Sequence, residues 1–257
     1  MKKFFLLLVR PLQFVYSIYA FFIFVTLMLL VFPFVIIASF FGRIKGGNLI
    51  IGICRIWADL WFPLILIFQK RIYETPHDRS KPYIFVGNHI SYIDAAIIPK
   101  AIRQPVRPLG KVEMSKVPIF GFIYRNGIVT VDRGSATNRA KSVRILKSVL
   151  MKGISIFVFP EGTFNMQKHP LKHFYDGAFR IAIETQTPIK PVLFLDAYQR
   201  MPFESLFRMS PGISRILYME EIPVKGYTLS DTDRLKAEVH AIMEKKMIEY
   251  NGAYKKQ

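Results

Sequence analysis

Hydrophobic and polar positions follow two regimes along this chain, and each predicts a different kind of structure. Between Arg10 and Arg43 no residue is charged and most are apolar. As a helix, Phe14 to Phe41 would run roughly 40 Å at about 1.5 Å per residue, longer than the ~30 Å hydrocarbon core of a bilayer. The run can span with tilt, or Pro33 can kink it into a re-entrant hairpin that enters and leaves one leaflet. Met1-Lys2-Lys3 looks like the charged start of a signal peptide. However, the apolar run Phe4 to Val9 is cut by Arg10, the next run exceeds a secretory core, and no small-x-small cleavage site follows it. The pattern predicts an uncleaved membrane anchor.

A basic, Gly-rich link from Arg43 to Asn48 leads to a second apolar helix, Leu49 to Phe62, closed by Pro63. Arg55 and Asp59 stand at i, i+4 on its charged face. Trp57 and Trp61 suit either the membrane interface or a core helix packed on the next domain.

From Leu64 the pattern alternates in short blocks, as a helix-flanked sheet requires. Strands are predicted at Leu64 to Tyr73, Tyr83 to Gly87, Arg107 to Lys111, Ile128 to Asp132, Ile154 to Phe159, Ile189 to Leu195 and Arg215 to Met219. Helices are predicted from Ser91 to Ile98, Val117 to Tyr124, Ala136 to Met151, Phe174 to Gln186 and Asp231 to Tyr250, the last capped by Ser230. The strand Ile154 to Phe159 is almost wholly apolar, as expected where both faces of a sheet are covered. The organisation is therefore residues 1–62 as membrane-anchoring helices and 63–257 as one α/β domain.

Charge narrows the partners. The chain carries 36 basic and 18 acidic residues, a formal charge of +18, which favours anionic partners. Nucleic acid, anionic lipid head groups and acidic acyl carriers all qualify on charge, and the anchor favours the latter two. The basic residues are scattered without the aromatic interleaving of a nucleic-acid site, so no nucleic acid is expected. The lone Cys54 forbids an internal disulfide and lies in an apolar stretch, where it reads as a small packed residue.

Candidate chemistry starts at His89, which directly follows an apolar strand and precedes a helix, at the strand end where α/β sheets place ligands. Ser91 is a plausible helix cap, with Asp94 three residues on. That geometry can return the carboxylate to the His89 ring, fixing its tautomer and leaving the other nitrogen free to take a proton. Alone, the spacing is equally compatible with Asp94 capping the helix. Phe159-Pro160-Glu161-Gly162-Thr163 follows another strand, bringing backbone N–H groups that suit an anionic oxygen and a Glu161 carboxylate that can accept from substrate hydroxyls. Gly127 to Arg133 ends a third strand, where Arg133 either grips a phosphate or pairs with Asp132. Thr187 to Val192 is a Pro-bracketed strand entrance.

In this order and at these separations, the four blocks resemble those of the glycerolipid acyltransferases typified by 1-acylglycerol-3-phosphate acyltransferase. Asn88 to Asp94 matches that family's first block, Asn-His-x-Ser-x-x-Asp, at every specified position. Gly127 to Arg133, Phe159 to Thr163 and Pro188 to Val192 resemble the next three, and Lys111 with Pro118 to Gly121 resembles the stretch before the second. The resemblance covers about residues 60 to 200. It implies a mixed α/β sheet flanked by helices, with an N-terminal hydrophobic helical anchor. It implies acyl transfer from acyl-CoA or acyl carrier protein to a lysolipid hydroxyl, without covalent enzyme intermediate, metal or cofactor.

His89 would deprotonate the hydroxyl and Asp94 would orient it. Arg133 and the Glu161-Gly162-Thr163 loop would hold the acceptor, with Asn88, Ser91 and Lys111 completing the substrate-binding set. The reaction would take place at an anionic membrane surface, with the catalytic domain cytoplasmic, where both donors are made. The third block usually continues with Arg and Ser, whereas this chain has Phe164 and Asn165. Lys168, His169, Lys172 and His173 are on the same loop and are candidates to compensate. The acceptor is accordingly lysophosphatidate, or else a lyso-aminolipid or another lysophospholipid. A non-catalytic membrane-binding protein is a third reading, which the intact His89 and Asp94 oppose.

Overall fold

A computed structural model of the chain describes residues 2–76, 78–131 and 136–255. The first apolar run forms one helix, α1 (Lys2–Ser39), with Pro11 and Pro33 inside it. Within it, Val9–Ser39 is long and apolar enough to cross a membrane. Pro33 does not reverse the chain, contrary to the hairpin reading placed on it. A proline removes one helical hydrogen bond and bends a helix, whereas reversal needs backbone freedom, which Gly42 supplies at φ +75°. A short π-helical turn, Gly42–Gly46, then leads into α2 (Gly47–Leu64).

The two helices pack along each other through aromatic side chains. Trp57 and Trp61 stack with ring centroids 5.2 Å apart, and Phe24 of α1 meets them edge-on at 4.7 and 5.3 Å. Their indole N–H groups donate to α1 carbonyls, Trp57 to Phe24 (3.4 Å) and Trp61 to Ala20 (3.0 Å). Both tryptophans are buried, so this face of α2 follows the core-helix reading, while Leu49, Ile56, Leu60 and Leu64 on α2 are exposed. Arg55 and Asp59 do not pair with each other as their spacing suggested. Asp59 is taken by Lys100 (2.7 Å) and by both outer nitrogens of Arg103 (2.8 Å each). Arg55 instead donates to the Pro99 (3.2 Å) and Ile102 (2.9 Å) carbonyls, at the end of α3 (Asp94–Ala101). Unsatisfied carbonyls and negative dipole make that end a natural seat for cations.

The sheet contains β1 (Ile67–Tyr73), β2 (Ile84–Gly87), β3 (Val106–Lys111), β4 (Val129–Val131), β5 (Ser155–Val158), β6 (Ile189–Phe194) and β7 (Gly212–Tyr218). Its order is β1-β7-β6-β2-β5-β3-β4, with all neighbours parallel except β6 and β7. It is thus the mixed, helix-flanked sheet expected. The remaining helices are α4 (Phe120–Gly127), α5 (Ala136–Leu150), α6 (Gly177–Thr185), the short α7 (Ala197–Arg200) and α8 (Thr232–Glu249). The last is preceded by a short turn, Leu229–Asp231, whose capping box joins Thr228 and Asp231 reciprocally; the residue at the start of α8 is Asp231, so Ser230 is not its cap.

Alternate side chains of the central strands feed two cores. Ile84, Val86, Ile156 and Leu193 meet α5, α6 and α8 through residues such as Leu146, Phe179 and Val239. Phe85, Phe157, Val192 and Phe194 meet α2 and α3 through Phe62, Trp61 and Ile97. Gly87 permits the close approach of β2 and β5: a Cβ there would lie 2.6 Å from the Phe157 ring. Because β2, β3, β5 and β6 run parallel, their carboxyl ends open on one edge of the sheet. The first and third sequence blocks leave their strands on that edge and the second runs along β4 towards it, whereas Pro188 to Val192 enters β6 at the opposite, amino end, with Ile189 beside Ile84.

Candidate active site

His89 is two residues beyond β2, and its ring reaches back to the first turn of α3. Its Nδ1 is 2.9 Å from Asp94 Oδ2, which also accepts the backbone N–H groups of Ile90 and Ser91, both at 2.8 Å. Three donors on one buried oxygen leave the carboxylate little freedom. Ser91 completes the turn: its Oγ accepts the Ile93 N–H (3.2 Å) and donates to the Met201 carbonyl. Asp94 therefore both closes the helix start and holds the imidazole, and the two readings of its position are one structure. With Nδ1–H donated to a carboxylate, Nε2 keeps its lone pair. The ring is 21 % exposed and so is reachable by a substrate.

The ring faces are held by aromatics that the sequence pattern did not single out as site residues. Phe159 stacks on His89 at 4.0 Å with planes 11° apart, and Phe164 packs against it at 4.4 Å and 60°. Phe164 also meets Tyr92 edge-on at 4.7 Å and Phe203 at 6.4 Å. The departure from the family pattern is therefore in contact with the imidazole itself.

Several residues assigned to substrate are used by the frame. The Glu161 carboxylate is fully buried and does not face an open site. Its Oε1 accepts the His89 N–H (2.7 Å) and its Oε2 the Lys172 N–H (2.9 Å), so it joins two loops and leaves no oxygen directed at a hydroxyl of a substrate. Asn88 is equally committed, accepting the Phe194 N–H (2.8 Å) and donating to the Phe194 carbonyl (3.3 Å). It ties β2 to β6. Ser91 is buried in the turn described above. Gly162 takes φ +73° and its N–H closes the turn onto the Phe159 carbonyl (3.0 Å), which uses the donor expected to face an anionic oxygen.

Thr163 accepts the Lys172 ammonium at 2.9 Å. Lys111 is exposed at the carboxyl end of β3, on the same sheet edge. Arg133 lies outside the described residues. Asn165, missed as a site residue, is buried and clamps the other side of His89: its N–H donates to the His89 carbonyl at 2.7 Å. Its side chain bonds the His169 carbonyl (2.9 Å) and the Gln167 N–H (3.0 Å).

Burial pushes the Glu161 carboxyl from its ordinary 4.5 up to about 8, against the two backbone N–H groups, which hold it down. A raised folded-state value means that the folded protein keeps a proton the unfolded chain has given up. The associated stability is present below the ordinary carboxylate range and is lost as pH rises through about 8. Unfolding in detergent micelles, followed from pH 5 to 9, is expected to show wild-type stability declining across that window with a shallower decline in Glu161→Gln. Equal slopes would mean that Glu161 does not titrate there.

A profile of the family described as Acyltransferase matches residues 69–195. The 1-acyl-sn-glycerol-3-phosphate acyltransferase of Haemophilus influenzae is 30% identical over 202 residues, covering 77% of this chain and 82% of the relative. The human 1-acyl-sn-glycerol-3-phosphate acyltransferase alpha is 29% identical over 167 residues, 64% of this chain and 58% of that longer protein. The crystal structure of the 1-acyl-sn-glycerophosphate (LPA) acyltransferase from Thermotoga maritima superimposes with a TM-score of 0.75 at 22% identity, covering 96% of this chain and 100% of that one.

Proposed function

This chain belongs to the 1-acylglycerol-3-phosphate acyltransferase family of glycerolipid acyltransferases, and we propose that it acylates the free hydroxyl of 1-acylglycerol-3-phosphate to give phosphatidate. The donor is acyl-CoA or acyl carrier protein. The observation that carries the reading is the 2.9 Å bond between His89 Nδ1 and a buried Asp94 carboxylate at the open edge of the sheet.

The chemistry follows from that bond. Nε2 takes the proton of the acceptor hydroxyl as its oxygen attacks the thioester carbonyl. Asp94 stabilises the imidazolium so formed. The tetrahedral adduct collapses by breaking the carbon–sulfur bond, and the departing thiolate recovers the proton from Nε2. One ester forms, one thioester breaks, and His89 ends as it began. No covalent enzyme intermediate, metal or cofactor enters. Asn88, Ser91 and Glu161 act by holding the His89 turn; Lys111, Thr163 and Arg133 are the groups we assign to the acceptor.

We read residues 1–62 as the anchoring unit and 63–257 as the catalytic domain. Phe22, Leu30, Phe34 and Ile37 of α1 are exposed and, with Ile56 and Leu60 of α2, suit contact with lipid. The helix also lies against the rest of the protein along its length, from Phe14, whose ring is 5.3 Å from that of Phe207, to the buried Ala38. That contact favours the hairpin lying in the membrane beside the catalytic domain, which we place on the cytoplasmic side with the donors.

Phe164 against His89 favours a second reading, acylation of a lyso-aminolipid or another lysophospholipid by the same residues. A panel of lysolipids assayed with one acyl donor separates the two. Lysophosphatidate is expected to be used with a kcat/KM about tenfold or more above the other acceptors, a discrimination of about 1.4 kcal/mol. A stronger preference for an acceptor without a phosphomonoester would overturn the first reading in favour of the second.

A further inference from the structure

Lys172 is bound to the His89 frame at both of its ends. Its backbone N–H donates to Glu161 Oε2 (2.9 Å), whose other oxygen accepts the His89 N–H (2.7 Å). Its ammonium turns back to Thr163 Oγ1 (2.9 Å), on the turn that leads into Phe164. The side chain is half-buried, and among the described residues its ammonium forms no ion pair. An ammonium has three donors, of which the described contacts engage one, at Thr163, while the buried Glu161 lies within Coulombic reach. The other basic groups of the loop are placed differently. Lys168, His169 and His173 are exposed, and the His173 ring packs on Tyr175 at 5.1 Å.

The covalent structure of the two substrates says which anion would reach this position. In the acceptor, the carbon bearing the reacting hydroxyl is bonded to the carbon that carries the phosphate, so the phosphate stays close to His89 during reaction. In the donor, a pantetheine arm separates phosphate from thioester. Phe164 and Phe203 offer a phosphate no donor, and Tyr92 meets Phe164 edge-on.

We propose that Lys172, presented by Thr163, binds the phosphomonoester of the acceptor and takes the place of a cation at position 164. The inference rests on the lysolipid reading above and adds a specificity residue to it. Lys172→Met keeps the backbone bond to Glu161, so the His89 frame survives the substitution. Kinetics with 1-acylglycerol-3-phosphate and with phosphate-free 1-acylglycerol, varying acceptor and donor in turn, test it. Lys172→Met is expected to raise the KM for the phosphate acceptor about tenfold and to lower the phosphate-to-uncharged ratio of kcat/KM by a similar factor, with Lys172→Arg restoring most of both.

Equal losses on both acceptors would reduce Lys172 to a structural tie and overturn the proposal, as would a rise confined to the donor KM. If wild type acylates a different phosphate-bearing lysolipid, the phosphatidate reading fails, and the same ratio taken on that lipid and its phosphate-free counterpart still decides the role of Lys172. If wild type uses only phosphate-free acceptors, both fall.

Discussion

His89→Ala is expected to lower kcat by roughly 10²–10⁴-fold, the range contributed by a positioned general base. The substitution removes the group that accepts the hydroxyl proton and returns it to the leaving thiolate. The backbone of the turn does not depend on the imidazole, although Phe159 and Phe164 lose the ring they pack on. Asp94 keeps the Ile90 and Ser91 N–H groups as donors, and both the N–H and the C=O of residue 89 keep their bonds to Glu161 and Asn165. The contacts described for the ring, to Asp94, Phe159 and Phe164, lie outside α1 and α2, so membrane association should persist. Turnover of lysophosphatidate by purified protein in mixed micelles, with flotation on vesicles as the control, separates lost chemistry from lost binding.

Asp94→Asn should lose roughly 10²-fold or more in kcat with a small change in acceptor KM, because it removes transition-state charge stabilisation and leaves the acceptor site intact. An amide oxygen can accept the three bonds now made to Oδ2, so the turn and the imidazole tautomer can survive. The negative charge facing the imidazolium cannot. The amide nitrogen would then replace Oδ1, which is buried with no hydrogen-bond partner among the described residues, adding an unsatisfied donor to the loss. Asp94→Ala should be worse for stability, since two backbone N–H groups at the start of α3 lose their acceptor. A parallel fall in binding for both variants would mean that Asp94 shapes the acceptor site instead.

The site was legible in the sequence wherever chemistry is set by local geometry. A strand ending at Gly87, a His two residues later and an acid in the following helical turn already place the imidazole and carboxylate together. The order of strands and helices was readable for the same reason, since their apolar periods are local.

What escaped depends on distant chain. Asn88 is claimed by Phe194, which is brought alongside only when β6 docks on β2. Glu161 looked available because a strand-exit carboxylate usually is, and only the folded loop puts the His89 and Lys172 N–H groups on its two oxygens. Asp59 left Arg55 for the end of α3 by the same logic: partners with more fixed geometry won over the i, i+4 pair. Pro33 is a different case, because spanning and re-entrant readings of the first apolar run were both open. A proline marks where a helix bends, and the reversal belonged to the glycine that follows.

The effect of Phe164 on acceptor choice bears on substrate, while the claim on which everything else depends is direct acyl transfer through His89. The most direct test is to supply purified protein with one acyl thioester and 1-acylglycerol-3-phosphate, and to measure diacyl product and released thiol together, for wild type and His89→Ala side by side. Phosphatidate and thiol appearing in equal amounts in wild type, with both abolished in the variant, is the predicted result. Product formation by His89→Ala at near wild-type rate, or no acylated product from wild type with any lysolipid, would contradict it.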